Sequence, residues 1–480
     1  MSHLSISEAD IRQIVAQVIG KLGGQGLEPS APAAGPGIAM EHGVFATVDE
    51  AVEAAVVAFG EFSHMPGARR EAIIGRMRET ALAHAEELAE LAVKETGLGR
   101  VADKIAKNKL AAVKTPGLED LASSSYTGDD GMTLLEYTPF GVIGSITPTT
   151  NPAATIINNG ISMIAAGNAV VFNPHPSAKA VSIRAMQLLN QAIVAEGGPR
   201  NLLTSVAEPT LETSEALMKH PRINALVVTG GGAVVKAALT SGKKVIAAGP
   251  GNPPVVVDET ADLAQAGRDI VLGASFDNNV LCTAEKEVFV VESVASSLKA
   301  EMIKNGAYEV KGTQLAKLLE LILVKMDDKD KYMPNKRYVG KSADLILKEI
   351  GVNTNESTKL IIAETADNHP LVYTEMLMPV LPIVRVPNVD AAIQSAIKAE
   401  KGNRHTAIMH SQNIRNLTKM AKALQATIFV KNGPSYAGLG FGGEGYTTLT
   451  IAGPTGEGLT SARTFTRKRR CVLVDGFRIV

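Results

Sequence analysis

Ile223-Asn224-Ala225-Leu226-Val227-Val228-Thr229-Gly230-Gly231-Gly232-Ala233-Val234-Val235-Lys236-Ala237-Ala238-Leu239 is the stretch whose reading decides the fold. The apolar run ending at Thr229 has the length and β-branched content of a buried strand. Three glycines then turn the chain, and Ala233 to Leu239 has helical composition. A strand that feeds a helix through glycines leaves backbone amides free at the helix start, where they can approach a pyrophosphate. Glycines also make tight turns with no ligand, and no Gly-Lys-Ser/Thr follows, so this is not a Walker loop.

The same rhythm extends in both directions. Asn168 to Phe172, Lys244 to Ala248, Val255 to Asp258, Glu287 to Glu292, Leu360 to Ala363 and Ala426 to Lys431 read as strands, each trailed by a helix. Arg69 to Glu95 reads as one long amphipathic helix carrying Ile73, Ile74, Met77, Leu88 and Leu91. Such alternation predicts an α/β fold with doubly wound parallel sheets and helices on both faces. Thr133 to Tyr137 and Cys471 to Val480 break the pattern as alternating strands with no helix between them. Lacking a local partner, they are expected to pair across a subunit boundary in a homo-oligomer, a dimer or a dimer of dimers. The basic run Arg467 to Arg470 reads as a solvated or intersubunit face.

At the start of the sequence, Ser7 caps a short helix in which Ile11, Ile14, Val15, Val18, Ile19 and Leu22 share one face. A Gly/Pro/Ala-rich stretch from Gly23 to Gly37 follows and reads as a flexible linker. A tethered helix with an exposed apolar stripe is expected to seek a groove on another protein.

A length of 480 residues suggests about three domains, or two large ones sharing an α/β core. Hydrophobic residues at 45% against 20% charged allow most of the chain to bury a core. Lys+Arg 48 against Asp+Glu 49 provides no broad positive field, so nucleic acid is not an expected partner. Apolar stretches fall short of the roughly 18 residues needed to cross a bilayer, and no secretory leader pattern precedes them. A cytoplasmic protein without a membrane partner is expected. The two cysteines, Cys282 and Cys471, form neither a disulfide framework nor a Cys-x-x-Cys pair, the histidines are scattered, and no metal is expected.

Phe276-Asp277-Asn278-Asn279-Val280-Leu281-Cys282-Thr283-Ala284-Glu285 places a thiol at what reads as a loop tip. Cysteine suits covalent attack on a carbonyl, because its thiolate is a strong nucleophile even when sparsely populated. Cys471 lies in a strand pattern and reads as structural. Ile146-Thr147-Pro148-Thr149-Thr150-Asn151-Pro152 forms a rigid turn able to aim an amide or a hydroxyl at an oxyanion.

Taken together, these segments resemble the aldehyde dehydrogenase superfamily from about Val44 to Val480. Thr147 to Pro152 resembles its P-W-N-x-P element, Thr229-Gly230-Gly231 its F-T-G-S turn, and Glu375-Met376-Leu377-Met378-Pro379 its E-x-F-G-P element. The resemblance implies two Rossmann-like domains, cofactor-binding over 41-124 and 142-247 and catalytic over 248-457. It also implies a small β oligomerisation arm from 125-141 and 458-480, preceded by the helix 1-22 and the linker 23-40. By the same resemblance Cys282 is the nucleophile, Asn151 is favoured for the oxyanion contact with Thr150 the other candidate, and Glu375 holds the nicotinamide ribose. Thr147, Pro148, Asn173, His175, Pro176, Thr229, Gly230, Gly231, Gly249 and Leu377 would line the cofactor site. Asn173 replaces the lysine that commonly binds the adenosine ribose, which leaves NAD and NADP both open.

One departure carries the expected chemistry. Where hydrolytic members have the glutamate of E-L-G-G-K, this chain has Ala247-Ala248-Gly249-Pro250-Gly251. With no carboxylate to activate water, a thioester on Cys282 is expected to persist until a thiol arrives. That pattern is similar to the acylating, coenzyme A-dependent branch, whose P-T-T-N-P and P-H-P appear as Pro148 to Pro152 and Pro174 to Pro176. A short-chain aldehyde follows as substrate, with propionaldehyde favoured over acetaldehyde. A hydrolytic semialdehyde dehydrogenase and a non-catalytic scaffold are the alternatives. The leading helix is similar to the peptides that carry such enzymes into bacterial microcompartments, so shell or core proteins are the expected partners.

Overall fold

The computed structural model describes residues 40–326 and 331–479. The expected helix from Ser7 to Leu22 and nearly all of the linker lie outside the described residues.

Two parallel sheets organise the chain. In the first, the order is Val44–Phe45, Leu203–Val206, Ala169–Pro174, Val142–Thr147, Ala225–Thr229 and Lys244–Ala248. Every neighbour pair is parallel. After Val142–Thr147 the chain winds to one side, then returns to lay Ala225–Thr229 on the other. This strand order creates a switch point between them, and the C-terminal ends of two strands open a crevice there. The turns beginning at Thr147 and at Thr229 leave those two ends, with Ile146 paired to Val228. Under the crevice lies helix Pro152–Ala165, buried along its full length.

The second sheet has the order Ala307–Glu309, Leu360–Glu364, Val380–Val386, Glu287–Val291, Pro254–Val257, Thr406–His410 and Ile428–Lys431, again all parallel. Its strands are continuous apolar runs because helices cover both faces. Val255, Val257, Val288, Val290, Ile362 and Leu381 form one core layer with helix Leu263–Ser275.

Three expectations change. Arg69 to Glu95 is not one helix but two, Gly67–Ala83 and Ala85–Thr96, broken at His84, whose φ and ψ of -103 and 12 are not helical. Ala81 and Ala85 are both buried across the break, so the apolar spacing runs through it and gives no sign of it. Lys244–Ala248 has no trailing helix. Residues 249–253 instead cross directly to Pro254–Val257, and Pro250, Pro253 and Pro254 cannot sustain a helix there.

The third concerns the strands expected to lack a local partner. Gly131–Pro139 and Thr466–Val474 pair with each other, antiparallel, and Ser124–Gly128 completes a three-stranded sheet. The basic run Arg467 to Arg470 lies in the last of these strands and is exposed, as are the apolar Val472 and Val474. No helix of the described residues is long and apolar enough to cross a membrane.

Candidate active site

Cys282 does not stand at an exposed loop tip. It follows a buried turn in which Asp277, Asn278 and Asn279 take φ of 49, 53 and 64 in succession. Asp and Asn tolerate this left-handed region better than other residues with a side chain, because a short polar group can bond locally. Here each is tied down. Asn278 Nδ2 donates to Gly340 O at 2.9 Å, and Asn279 Nδ2 donates to Ala274 O at 2.7 Å and Glu285 O at 3.0 Å. Asp277 Oδ1 accepts the Arg100 amide at 2.7 Å.

Lys286 secures the same turn from the other side. Its Nζ donates to Asn279 Oδ1 at 2.7 Å, Leu281 O at 3.2 Å and Asn279 O at 3.3 Å, which places a buried ammonium beneath the cysteine. Cys282 itself is half-buried. Burial pushes its thiol up to about 11, Glu375 pushes in the same direction, and Lys286, the cysteine's own amide and Lys107 oppose them.

Asn151 occupies the N-cap of helix Pro152–Ala165, yet its side chain makes no capping bond. Asn is among the best capping residues, and the forgone cap is worth about 1 kcal/mol. Its Oδ1 accepts instead from Lys107 Nζ, and its Nδ2 reaches Thr150 Oγ1 at a long 3.3 Å. The Thr150 hydroxyl thus faces the Asn151 amide, while the Thr150 carbonyl accepts from Lys104 Nζ at 3.2 Å. Lys104 and Lys107 both pair with Asp277 Oδ2, Lys104 at 3.0 Å. Burial lowers the Lys104 ammonium to about 8, with Lys107 adding to the shift and Asp277 opposing it.

Neither lysine was singled out from the sequence, although a signal is present. Lys104, Lys107, Asn108, Ala111 and Ala112 form the buried stripe of helix Val101–Lys114, so two cations occupy a face that helical spacing assigns to the core.

Glu375 lies near enough to raise the Cys282 thiol, so the pocket is not free of carboxylates as expected from Ala247 alone. Burial holds its own carboxyl above the usual range, while Lys286 and the Gly251 amide draw it down. Leu377, at a left-handed φ of 52, accepts the Gly340 amide through its carbonyl at 2.8 Å. A Cβ placed on Gly251 would come within 3.0 Å of Cys282 O and 3.1 Å of His405 Cγ. The His405 ring and the Cys282 carbonyl therefore flank the same point. Burial, reinforced by Lys286, lowers His405 to about 4, leaving a neutral imidazole at ordinary pH. His405 was another omission, and its isolation in the sequence offers no signal.

The crevice residues divide. Thr147 is buried at its strand end with Oγ1 unpartnered, and Pro148 is half-buried beside it. Thr229 Oγ1 meets Thr450 Oγ1 at 3.0 Å, and the Gly230 amide donates to Ala248 O at 3.2 Å. Gly231 caps helix Gly232–Leu239 without a side chain, and Cβ atoms on Gly231 or Gly232 would meet nothing within 4 Å. Open amides at a helix start fit a pyrophosphate, so these residues suit a dinucleotide. Gly249 abuts Pro454 at the neighbouring strand end.

Asn173 lies at the same end of the sheet, paired with Ile146. Its amide is engaged by Ser214 Oγ at 2.7 Å and Thr213 Oγ1 at 2.7 Å, anchoring the start of helix Leu211–Lys219. His175 and Pro176 are exposed beyond that strand, and His175 Nδ1 accepts the Ser177 amide at 3.2 Å. Among the described residues, no cluster of histidine, cysteine and acidic side chains could hold a metal ion.

The aldehyde dehydrogenase family model matches residues 32–457. The chain is 54% identical over 476 residues to an acetylating acetaldehyde dehydrogenase of Salmonella typhimurium, covering 99% of this chain and 100% of that protein. A crystal structure of Rhodopseudomonas palustris propionaldehyde dehydrogenase, with bound CoA and an acylated cysteine, superposes with a TM-score of 0.88 at 52% identity. That match covers 91% of this chain and 99% of the other. A propionaldehyde dehydrogenase from the fucose utilisation microcompartment of Clostridium phytofermentans gives a TM-score of 0.89 at 48% identity, over 92% and 100% of the two chains. With the parallel sheets, the switch-point crevice and the buried thiol turn in place, this chain belongs to the aldehyde dehydrogenase family.

Proposed function

We propose that the chain oxidises a short-chain aldehyde and transfers the acyl group to coenzyme A through a thioester on Cys282, with NAD as hydride acceptor. Propionaldehyde is the favoured substrate and acetaldehyde the alternative. One observation carries this reading: Lys107, whose charge acts on the Cys282 thiol, also holds the Asn151 side-chain oxygen, while position 247 is a buried strand alanine.

The Cys282 thiol gives its proton to solvent, the thiolate sulfur forms a bond to the carbonyl carbon, and the carbonyl π electron pair moves to oxygen. Asn151 Nδ2 and the Cys282 amide donate to that oxyanion, the contact that in such sites is worth about 10²–10³ in rate. The nicotinamide, when bound, supplies the acceptor for the hydride that leaves as the carbonyl re-forms. A thioester then remains on Cys282. The sulfur of the coenzyme thiol then attacks the thioester carbon and the bond to Cys282 breaks, the proton given up by the coenzyme thiol restoring the Cys282 thiol. The Gly231 and Gly232 amides suit the dinucleotide phosphates, and Glu375 the ribose. Beside Cys282, Leu281 packs near Phe276, Tyr436 and Phe441, whose rings lie 5.2–5.7 Å apart and give the neighbourhood of the thiol an apolar wall.

The proximity of Glu375 favours hydrolysis as the second reading, because a carboxylate could activate water. The leading segment supports a further part of the proposal, entry into a bacterial microcompartment by docking on shell or core proteins. Self-association through the exposed three-stranded sheet completes it.

A product assay with propionaldehyde and NAD decides between thiol and water. Without coenzyme A the enzyme should stop after about one turnover per site, whereas sustained propionate formation would establish hydrolysis. The raised thiol predicts that alkylation by iodoacetamide, mapped to the Cys282 peptide, quickens about tenfold per pH unit between pH 7 and 9. A rate flat across that range would mean the thiol is already ionised. Removal of residues 1–22 should leave turnover unchanged and abolish co-sedimentation with shells, and a truncated chain that still co-sediments would refute the targeting role.

A further inference from the structure

We propose that Lys107 is a positioning residue for acylation: its ammonium fixes the Asn151 amide so that Nδ2 is directed at the developing oxyanion. This rests on the reading that Cys282 is acylated with Asn151 as an oxyanion donor. An ammonium donates and cannot accept, so its contact with Asn151 is to Oδ1. A flipped amide would set its NH₂ against the buried cation, which forbids that rotamer. Asn151 forgoes the helix cap that its position offers, so the lysine, and not the helix, sets the side chain. With the contact to Thr150 Oγ1 at 3.3 Å as its one protein partner, Nδ2 keeps a hydrogen for a ligand.

The same Nζ holds Asp277 Oδ2, in the first residue of the left-handed run that leads to Cys282. Lys107 is only 4% exposed, so neither contact competes with water. A single ammonium thus links the loop carrying the donor to the turn carrying the nucleophile. Their spacing is set before substrate arrives.

A double-mutant cycle between Lys107→Met and Asn151→Ala tests this, read as the pre-steady-state burst of NADH with saturating NAD and propionaldehyde. Lys107→Met should slow the burst about 10- to 100-fold. The KM for aldehyde should stay within about threefold. In the Asn151→Ala background the same substitution should cost less than about threefold, since residues acting as a unit are not additive. Factors that multiply in the double variant, or a Lys107→Met burst within about twofold of wild type, would overturn the proposal. Should Lys107→Met fail to fold by near-ultraviolet circular dichroism, Lys107→Gln, neutral and shorter, is read by the same criteria. A wild-type enzyme with no NADH burst would instead refute acylation itself, so the two failures are distinguishable.

Discussion

A buried carboxylate between two buried ammonium groups ties the active site together. Asp277 is fully buried, Lys104 and Lys107 nearly so, and both lysines meet the same carboxylate oxygen. Desolvating such charges costs several kcal/mol per ion, and removing one member of such a set costs about 3–5 kcal/mol. The cluster is therefore better understood as a device for geometry than as a source of stability. Each ammonium also reaches beyond the carboxylate, Lys104 to the Thr150 carbonyl and Lys107 to the Asn151 side-chain oxygen. Those are the two residues that the sequence pattern nominated for the oxyanion.

Around the thiol the same low polarity acts in two directions. It disfavours the free thiolate, and Glu375 adds to that effect, while Lys286 and Lys107 recover part of the loss. A dry site also strengthens each donor aimed at a charge that develops only during reaction. The same burial, with Lys286 adding to it, disfavours the protonated form of His405 and keeps its imidazole neutral. The proposed nucleophile, Cys282, and the proposed donor, Asn151, thus come from different segments, joined by turns that buried lysines and side-chain amides hold in place.

Much of this was legible in the sequence where chemistry restricts residue type. The strand and glycine turn at Thr229, the rigid turn at Thr147 to Pro152 and the polar run before Cys282 each announce a backbone path that few other residues permit. What stayed hidden depends on tertiary partners. The break at His84 leaves the apolar spacing intact, and the partnering of Gly131–Pro139 with Thr466–Val474 joins segments more than three hundred residues apart. The Asn173 side chain is engaged by two hydroxyls of a neighbouring helix, partners that its own motif does not announce. Lys104 and Lys107 were visible as charges on a core-facing stripe, a contradiction of pattern that only a buried anion could resolve.

All of this requires that the sulfur of Cys282 carry the acyl group while water is excluded. Mass spectrometry of the enzyme mixed with propionaldehyde and NAD, without coenzyme A, addresses that directly. The account predicts one propionyl group per chain, on the peptide containing Cys282 and absent from Cys282→Ala. An unmodified Cys282 after a full equivalent of NADH has formed would contradict it.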